Sequence, residues 1–303
     1  MASDSVTIAC PAKVNLALSV AALDHATGMH PLSSWMVAVD LCDTLTVRRL
    51  ADGDVSRFAI AFAPDAPRAQ EVDWPLKRDL AVCAHAAVEA AIGRTLPVDL
   101  ALHKRIPCGG GLGGGSSDAA GVLVAMDKLF DSPLEPEALH TIARGLGSDV
   151  PFALAALSGT PSAAAGGTGE VIHPAPTPGG HLVLVMPPFG CDTAAVYRAF
   201  DQHAPPSRPQ DTSELIDLAR RAAPGSFFND LARPAMLSHP PLADVFDKVA
   251  QHAGRRAHVS GSGSTCFVVA QDHAEAQSLA RELEGLEGCV ARAAHYPLLS
   301  ATA

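Results

Sequence analysis

Six glycines occupy seven consecutive positions in Gly109-Gly110-Gly111-Leu112-Gly113-Gly114-Gly115, directly ahead of Ser116-Ser117-Asp118. A backbone this poor in Cβ atoms holds neither strand nor helix well, so a loop over 104–115 is predicted between a strand at 98–102 and a helix at 116–130. Ser116 or Ser117 is placed to cap that helix, with Asp118 in its first turn. Successive N–H groups of such a loop can turn toward one anion, and the helix that follows adds more of them. Binding of a di- or triphosphate is the leading expectation. A flexible linker is the plainer alternative, but linkers seldom run straight from an apolar strand into an amphipathic helix.

Two familiar phosphate motifs fit poorly. Gly109-x-Gly111-x-x-Gly114 has dinucleotide spacing, yet 131–136 leads toward another helix where a second parallel strand and an acidic residue are required. The P-loop needs Lys-Ser or Lys-Thr after its last glycine, and Ser116-Ser117 stands there without a lysine.

The 303 residues favour two packed domains, divided near 160 and joined through the small, polar stretch 159–169. Elements do not alternate strictly: strands are expected at 7–20 (whole, or broken at Pro11), 35–50, 181–186, 257–270 around a loop, and 289–293. Helices are expected at 78–92 with Gly93 as its stop, then at 136–145, 193–200, 213–222, 229–238, 242–253 and 274–283. That pattern indicates an α+β fold. A net charge of −10 offers no basic face for nucleic acid, and no apolar run approaches the length of a membrane span, so a cytoplasmic protein with a small-molecule partner is expected. The seven cysteines lie singly, without metal-site or dithiol spacing, and read as reduced thiols. No heptad seam is present; a monomer or weak homodimer fits.

Three segments, taken in order, resemble the motifs of the galactokinase, homoserine kinase, mevalonate kinase and phosphomevalonate kinase superfamily. They are Pro11-Ala12-Lys13-Val14-Asn15-Leu16, Ile106-Pro107-Cys108 through Asp118-Ala119-Ala120, and Gly261-Ser262-Gly263-Ser264-Thr265. The resemblance implies a two-domain small-molecule kinase using ATP and Mg2+, with an N-terminal ATP-binding domain (1–160) and a C-terminal domain completing the substrate cleft (161–303). Together with Gly147-Ser148-Asp149-Val150-Pro151-Phe152, it points to members that phosphorylate a cytidine diphosphate sugar alcohol. Asp149 matches the catalytic aspartate and Lys13 the lysine beside it. The nucleotide positions are Lys104, Pro107, Gly109, Gly110, Gly111, Gly113, Gly114, Gly115, Ser116 and Ser117. Asn15, His30, Thr193 and Tyr197 match residues lining the substrate, and no protein metal ligand is assigned. Met29 and Asp79 stand where relatives commonly carry an aromatic residue and an asparagine.

A carboxylate beside a substrate hydroxyl can accept its proton, and a nearby ammonium keeps that carboxylate ionised. Asp149 and Lys13 would fill those roles. Taken alone, each has a plainer explanation: Lys13 as a solvated strand charge, Asp149 as a cap ahead of Pro151, His30 as a turn residue, Tyr197 as packing and 261–264 as a tight hairpin. A kinase for another small alcohol, either a mevalonate-like acid or a sugar, and a silent nucleotide-binding regulator remain as alternatives. With the family match, the 261–264 turn is expected to pack against the glycine loop.

Overall fold

The computed structural model describes residues 4–130, 134–203, 211–221 and 224–296. The chain forms two compact units, one of Met1–Ala12, Leu41–Ile106 and Gly113–Gly159, the other of Lys13–Asp40, Pro107–Leu112 and Thr160–Ala303. Two long strands, β1 (Ser5–Val20) and β2 (Leu32–Arg49), each run through both units. Strand β1 continues unbroken past Pro11.

In the first unit β3 (Arg57–Phe62) lies parallel to β4 (Val98–Lys104), with α1 (Leu80–Ile92) between them in the chain. Strand β4 pairs antiparallel with β2, Thr44 opposite His103 through Arg49 opposite Val98. Leu45, Val47, Leu100 and Leu102 form a core with Ala84 and Val88 of α1 and with the apolar face of α2 (Gly114–Leu129). Helices α3 (Pro136–Leu146) and α4 (Val150–Leu157) add Ala143, Val150, Ala153 and Leu154. Asp79 caps α1 by accepting from Ala81 N at 2.9 Å and from Trp74 Nε1 at 2.9 Å, and Gly93 closes it in the left-handed region at φ 76°. A cap of this kind contributes about 1 kcal/mol.

In the second unit β5 (Ser162–Gly166) pairs with β2 and with β6 (Val171–Pro174). The expected domain crossing at 159–169 is therefore partly a fully buried strand. Ala163, Ala164 and Ala165 are small because β5 is enclosed, and Trp35 Nε1 donates to Ser162 Oγ at 3.0 Å. A second sheet runs in the order β11-β7-β10-β9, with β7 at His181–Met186, β9 at His258–Val259, β10 at Cys266–Ala270 and β11 at Val290–His295. The helices of this unit are α5 (Thr193–His203), α6 (Thr212–Arg221), α7 (Ala232–Ser238), α8 (Pro240–Ala253) and α9 (His273–Leu283). Ala222, expected to end α6, lies outside the described residues. The helix expected from 229 starts at Ala232, because Phe228–Asn229 forms a short strand, β8, parallel to β1.

The mixed α+β fold read from the sequence is the observed one. None of the seven cysteines forms a disulfide, and Cys10, Cys191, Cys266 and Cys289 are buried. Among the described residues no helix is long and apolar enough to cross a membrane.

Candidate functional site

Helix α2 begins two residues earlier than its serines predict. Gly113, at φ 69°, occupies the N-cap position with no side-chain capping bond, and Gly114 and Gly115 are already helical. The reason is packing: a Cβ on Gly114 would lie 2.9 Å from Ile106 Cγ2, so only glycine can enter the helix there. Ser116 and Ser117 are thus first-turn residues, and Asp118 lies beyond the first turn, buried.

Five successive carbonyls of the loop are held by protein donors. Gly109 O accepts from Cys191 N at 3.2 Å, Gly110 O from Thr265 N at 3.1 Å, Leu112 O from Lys13 N at 2.9 Å and Gly113 O from Ser117 N at 2.9 Å. Gly111 O accepts from Ser260 Oγ at 2.9 Å. Among the described residues, none of the N–H groups from 109 to 116 donates a hydrogen bond. Glycines 109, 111 and 113 have φ of 70°, 73° and 69°. Alternation of this kind turns neighbouring amides toward a common side, the geometry of an anion nest.

In the second unit the three sequence motifs meet. Lys13, only 6% exposed, donates from Nζ to Asn15 Oδ1 at 2.6 Å. Asn15 Nδ2 donates to Ser34 Oγ at 2.7 Å, and Ser34 Oγ donates to Ala17 O at 2.8 Å. Asn15 N donates to Ser260 Oγ at 3.3 Å, the same hydroxyl that donates to Gly111 O. The expected packing of the 261–264 turn on the glycine loop is made by the two residues that flank it, Ser260 bonding Gly111 O and Thr265 bonding Gly110 O. Lys13 is a buried cation oriented by an amide rather than a solvated strand charge, and a buried charge so held is a candidate for work on an anion.

His30 and Tyr197 lie with ring centroids 5.0 Å apart, and Phe200 meets the imidazole edge-on at 5.7 Å. His30 Nδ1 is 2.9 Å from Ala21 O and Nε2 is 3.5 Å from Asp201, which fixes the ring direction. Thr193, at the start of α5 one turn before Tyr197, shares a 2.9 Å hydrogen bond with Ser262 Oγ.

Asp149 and Lys104 belong to the first unit, and Pro107 to the second. Asp149 occupies the N-cap position of α4, yet its side chain makes no capping bond, so the plainer explanation for this aspartate fails. Lys104 is 3% exposed, with Nζ 2.7 Å from Asp43 Oδ2 and 2.5 Å from Asp118 Oδ2. Asp43, fully buried, also accepts from the backbone N–H groups of Arg105 and Ile106. Although burial alone would depress it, the two carboxylates hold the lysine above its ordinary range.

Sequence reasoning missed Asp43, Ser260 and Asn229. Asn229 Nδ2 donates to Val259 O at 2.8 Å and to Gly261 O at 2.7 Å, while its Oδ1 accepts from Leu231 N at 2.8 Å. An asparagine ahead of a helix looks like a cap, and its grip on the 259–261 turn leaves no local signal.

Two family models match the chain, the GHMP kinases N terminal domain over 79–156 and the GHMP kinases C terminal over 202–286. A 4-diphosphocytidyl-2-C-methyl-D-erythritol kinase from Polaromonas sp. is 37% identical, covering 86% of this chain and 82% of its own. One from Salinispora tropica is 36% identical over 99% and 95% of the two chains. A crystal structure of 4-(cytidine 5'-diphospho)-2C-methyl-D-erythritol kinase superposes with a TM-score of 0.75 at 31% identity, covering 96% of this chain and all of that one. A homoserine kinase from Cytophaga hutchinsonii, 16% identical with a TM-score of 0.67 over 97% and 95% of the chains, shares the fold.

Proposed function

The chain belongs to the GHMP kinases and, within them, to the 4-diphosphocytidyl-2-C-methyl-D-erythritol kinases, and from that membership we propose the reaction it performs. It transfers the terminal phosphate of ATP to the 2-hydroxyl of 4-diphosphocytidyl-2-C-methyl-D-erythritol, giving ADP and a phosphomonoester, a step in isoprenoid precursor biosynthesis. The observation that carries this reading is the loop at 109–116, whose carbonyls are pinned and whose amides remain available. A polyphosphate bearing several negative charges matches such a row of donors.

In this reading Gly109, Gly110, Gly111, Gly113, Gly114, Gly115, Ser116 and Ser117 surround the phosphates, with Pro107 fixing the entry to the loop. Asp149 accepts the hydroxyl proton and Lys13 attracts the alkoxide that develops. Asn15 orients Lys13 through its 2.6 Å bond. His30, Tyr197 and Thr193 meet the cytidine and the polyol, His30 presenting a ring whose direction Ala21 O and Asp201 hold. Residues 1–160 supply the nucleotide contacts and 161–303 further substrate contacts. Among the described residues no group of three His, Cys, Asp and Glu side chains could hold a metal ion. In this reading Mg2+ accompanies ATP, with phosphate oxygens and water providing most of its shell.

Incubating the protein with ATP, Mg2+ and 4-diphosphocytidyl-2-C-methyl-D-erythritol is expected to give ADP and a new monoester resonance in the phosphorus NMR spectrum. Mevalonate and sugar alcohols in parallel tubes should give none. A monoester formed from one of those alcohols instead would replace the substrate proposed.

A further inference from the structure

The ends of the glycine loop are joined by a buried charge cluster that the phosphate chemistry does not use. Lys104 closes β4 just before the loop, Asp118 lies in α2 just after it, and Asp43 reaches both from β2. Asp43 Oδ2 accepts from Lys104 Nζ at 2.7 Å, and its Oδ1 takes the N–H groups of Arg105 and Ile106. Asp118 Oδ2 accepts from the same ammonium at 2.5 Å, while its Oδ1 and Ser117 Oγ are buried without a hydrogen-bond partner among the described residues. Relative exposures are 0%, 3% and 1% for Asp43, Lys104 and Asp118.

Charge counting is decisive here. Two carboxylates and one ammonium leave one excess negative charge in a site closed to water, where an uncompensated charge costs several kcal/mol. Arg105 does not supply the missing cation: its guanidinium points to Asp65 and to Thr44 Oγ1. From β1 and β2 the neighbouring titratable groups are the Cys10 and Cys42 thiols, and burial, then Asp118 and Asp43, push the Cys10 thiol well up. Of the helices packed on α2, α1 brings the buried His85, whose Nε2 is bonded to Leu96 O, and its capping Asp79 beside the apolar Ala81, Ala84 and Val88, while α3 adds Ala143 and α4 adds Val150, Ala153 and Leu154. The remaining way to remove the excess charge is a proton.

We propose that Asp43, Lys104 and Asp118 form a clamp holding one shared proton and no net charge, and that it positions both ends of the glycine loop for the nucleotide. The inference rests on the kinase reading only for the nucleotide. Lys104 thereby serves ATP through the loop it anchors, its ammonium being engaged below the loop. Burial, reinforced by the charge of Asp43 and opposed by Lys104, raises Asp118 well above the ordinary carboxylate range, which makes Asp118 the site of the proton.

The sign of the pH effect follows. An acid whose folded pKa is raised favours the folded state fully below its unfolded pKa, and that contribution is lost as pH rises through the folded value. Asp118→Asn is permanently neutral and escapes the loss. The difference in melting temperature, variant minus wild type, is therefore expected to grow as pH rises above the ordinary carboxylate range. Each single change, Asp118→Asn or Asp43→Asn, leaves one carboxylate for Lys104 and folds; the double variant leaves a buried ammonium alone and melts far below the sum of the singles. Thermal unfolding needs no substrate, so it decides the proton independently of the reaction. A pH-independent difference, or additive double-variant melting, overturns the shared proton. For positioning, Asp43→Ala, which orphans two backbone N–H groups, is expected to raise KM for ATP roughly tenfold, with Asp43→Asn restoring it. A folded Asp43→Ala protein with wild-type KM removes the positioning role.

Discussion

Asp149→Asn is expected to lower kcat by about a thousandfold, in the middle of the range a positioned base contributes, while KM for ATP and the melting temperature stay near wild type. Asp149 sits at φ −90°, ψ −10° ahead of α4, where asparagine is equally at home. Its carbonyl accepts from Ala153 N at 3.0 Å, and any residue supplies that bond. Its carboxylate makes no cap, so replacing one oxygen by an amide takes no capping bond from the helix. What the amide lacks is the capacity to take a proton from the acceptor hydroxyl. Steady-state assays of ADP release with both substrates saturating, beside a thermal melt, check the prediction. A loss below tenfold assigns proton acceptance elsewhere, and a parallel fall in melting temperature assigns Asp149 to structure.

The glycine loop was legible because the run of six glycines ahead of a helix is written in adjacent residues. The helix start was not, because propensity alone puts glycine outside a helix, whereas the close approach of Ile106 leaves room for glycine at position 114. Lys13 was found by motif, but its partner Ser260, acting through Asn15, is 245 positions from that asparagine. The clamp was invisible for the same reason. Asp43 lies 61 residues from Lys104, and although it shares the buried phase of β2 with Leu41, Leu45 and Val47, nothing local names its partner. Strand β5 failed on composition: an alanine triplet between glycines resembles a linker until the enclosing strands are known. Local covalent pattern thus carried the candidate phosphate loop, and everything set by long-range pairing required the fold.

Gly111→Ala carries the second large effect, with stability and activity falling together. Gly111 has φ +73°, where an alanine costs roughly 1–2 kcal/mol. Its new methyl would also stand 2.1 Å from Ser260 O and 3.0 Å from Gly263 O. Both obstacles are backbone, so the collision cannot be relieved by a rotamer and adds roughly 1–3 kcal/mol. Relief requires the loop to withdraw from Ser260, which breaks the bond from Ser260 Oγ to Gly111 O and shifts the amides proposed to face the phosphates. A displacement near 1 Å is expected to cost about a hundredfold in kcat/KM for ATP. Two companions divide the causes. Gly254→Ala, at φ +60° with nothing within 4 Å, isolates the backbone strain. Gly145→Ala, inside α3 with nothing within 4 Å and no positive φ, should stabilise by roughly 0.5–1 kcal/mol. Urea unfolding and ATP kinetics of the three variants give the comparison. If Gly111→Ala matches Gly254→Ala in stability and keeps wild-type kcat/KM, then Ser260 does not hold the loop, and the amides at 109–116 have no fixed direction to offer a phosphate.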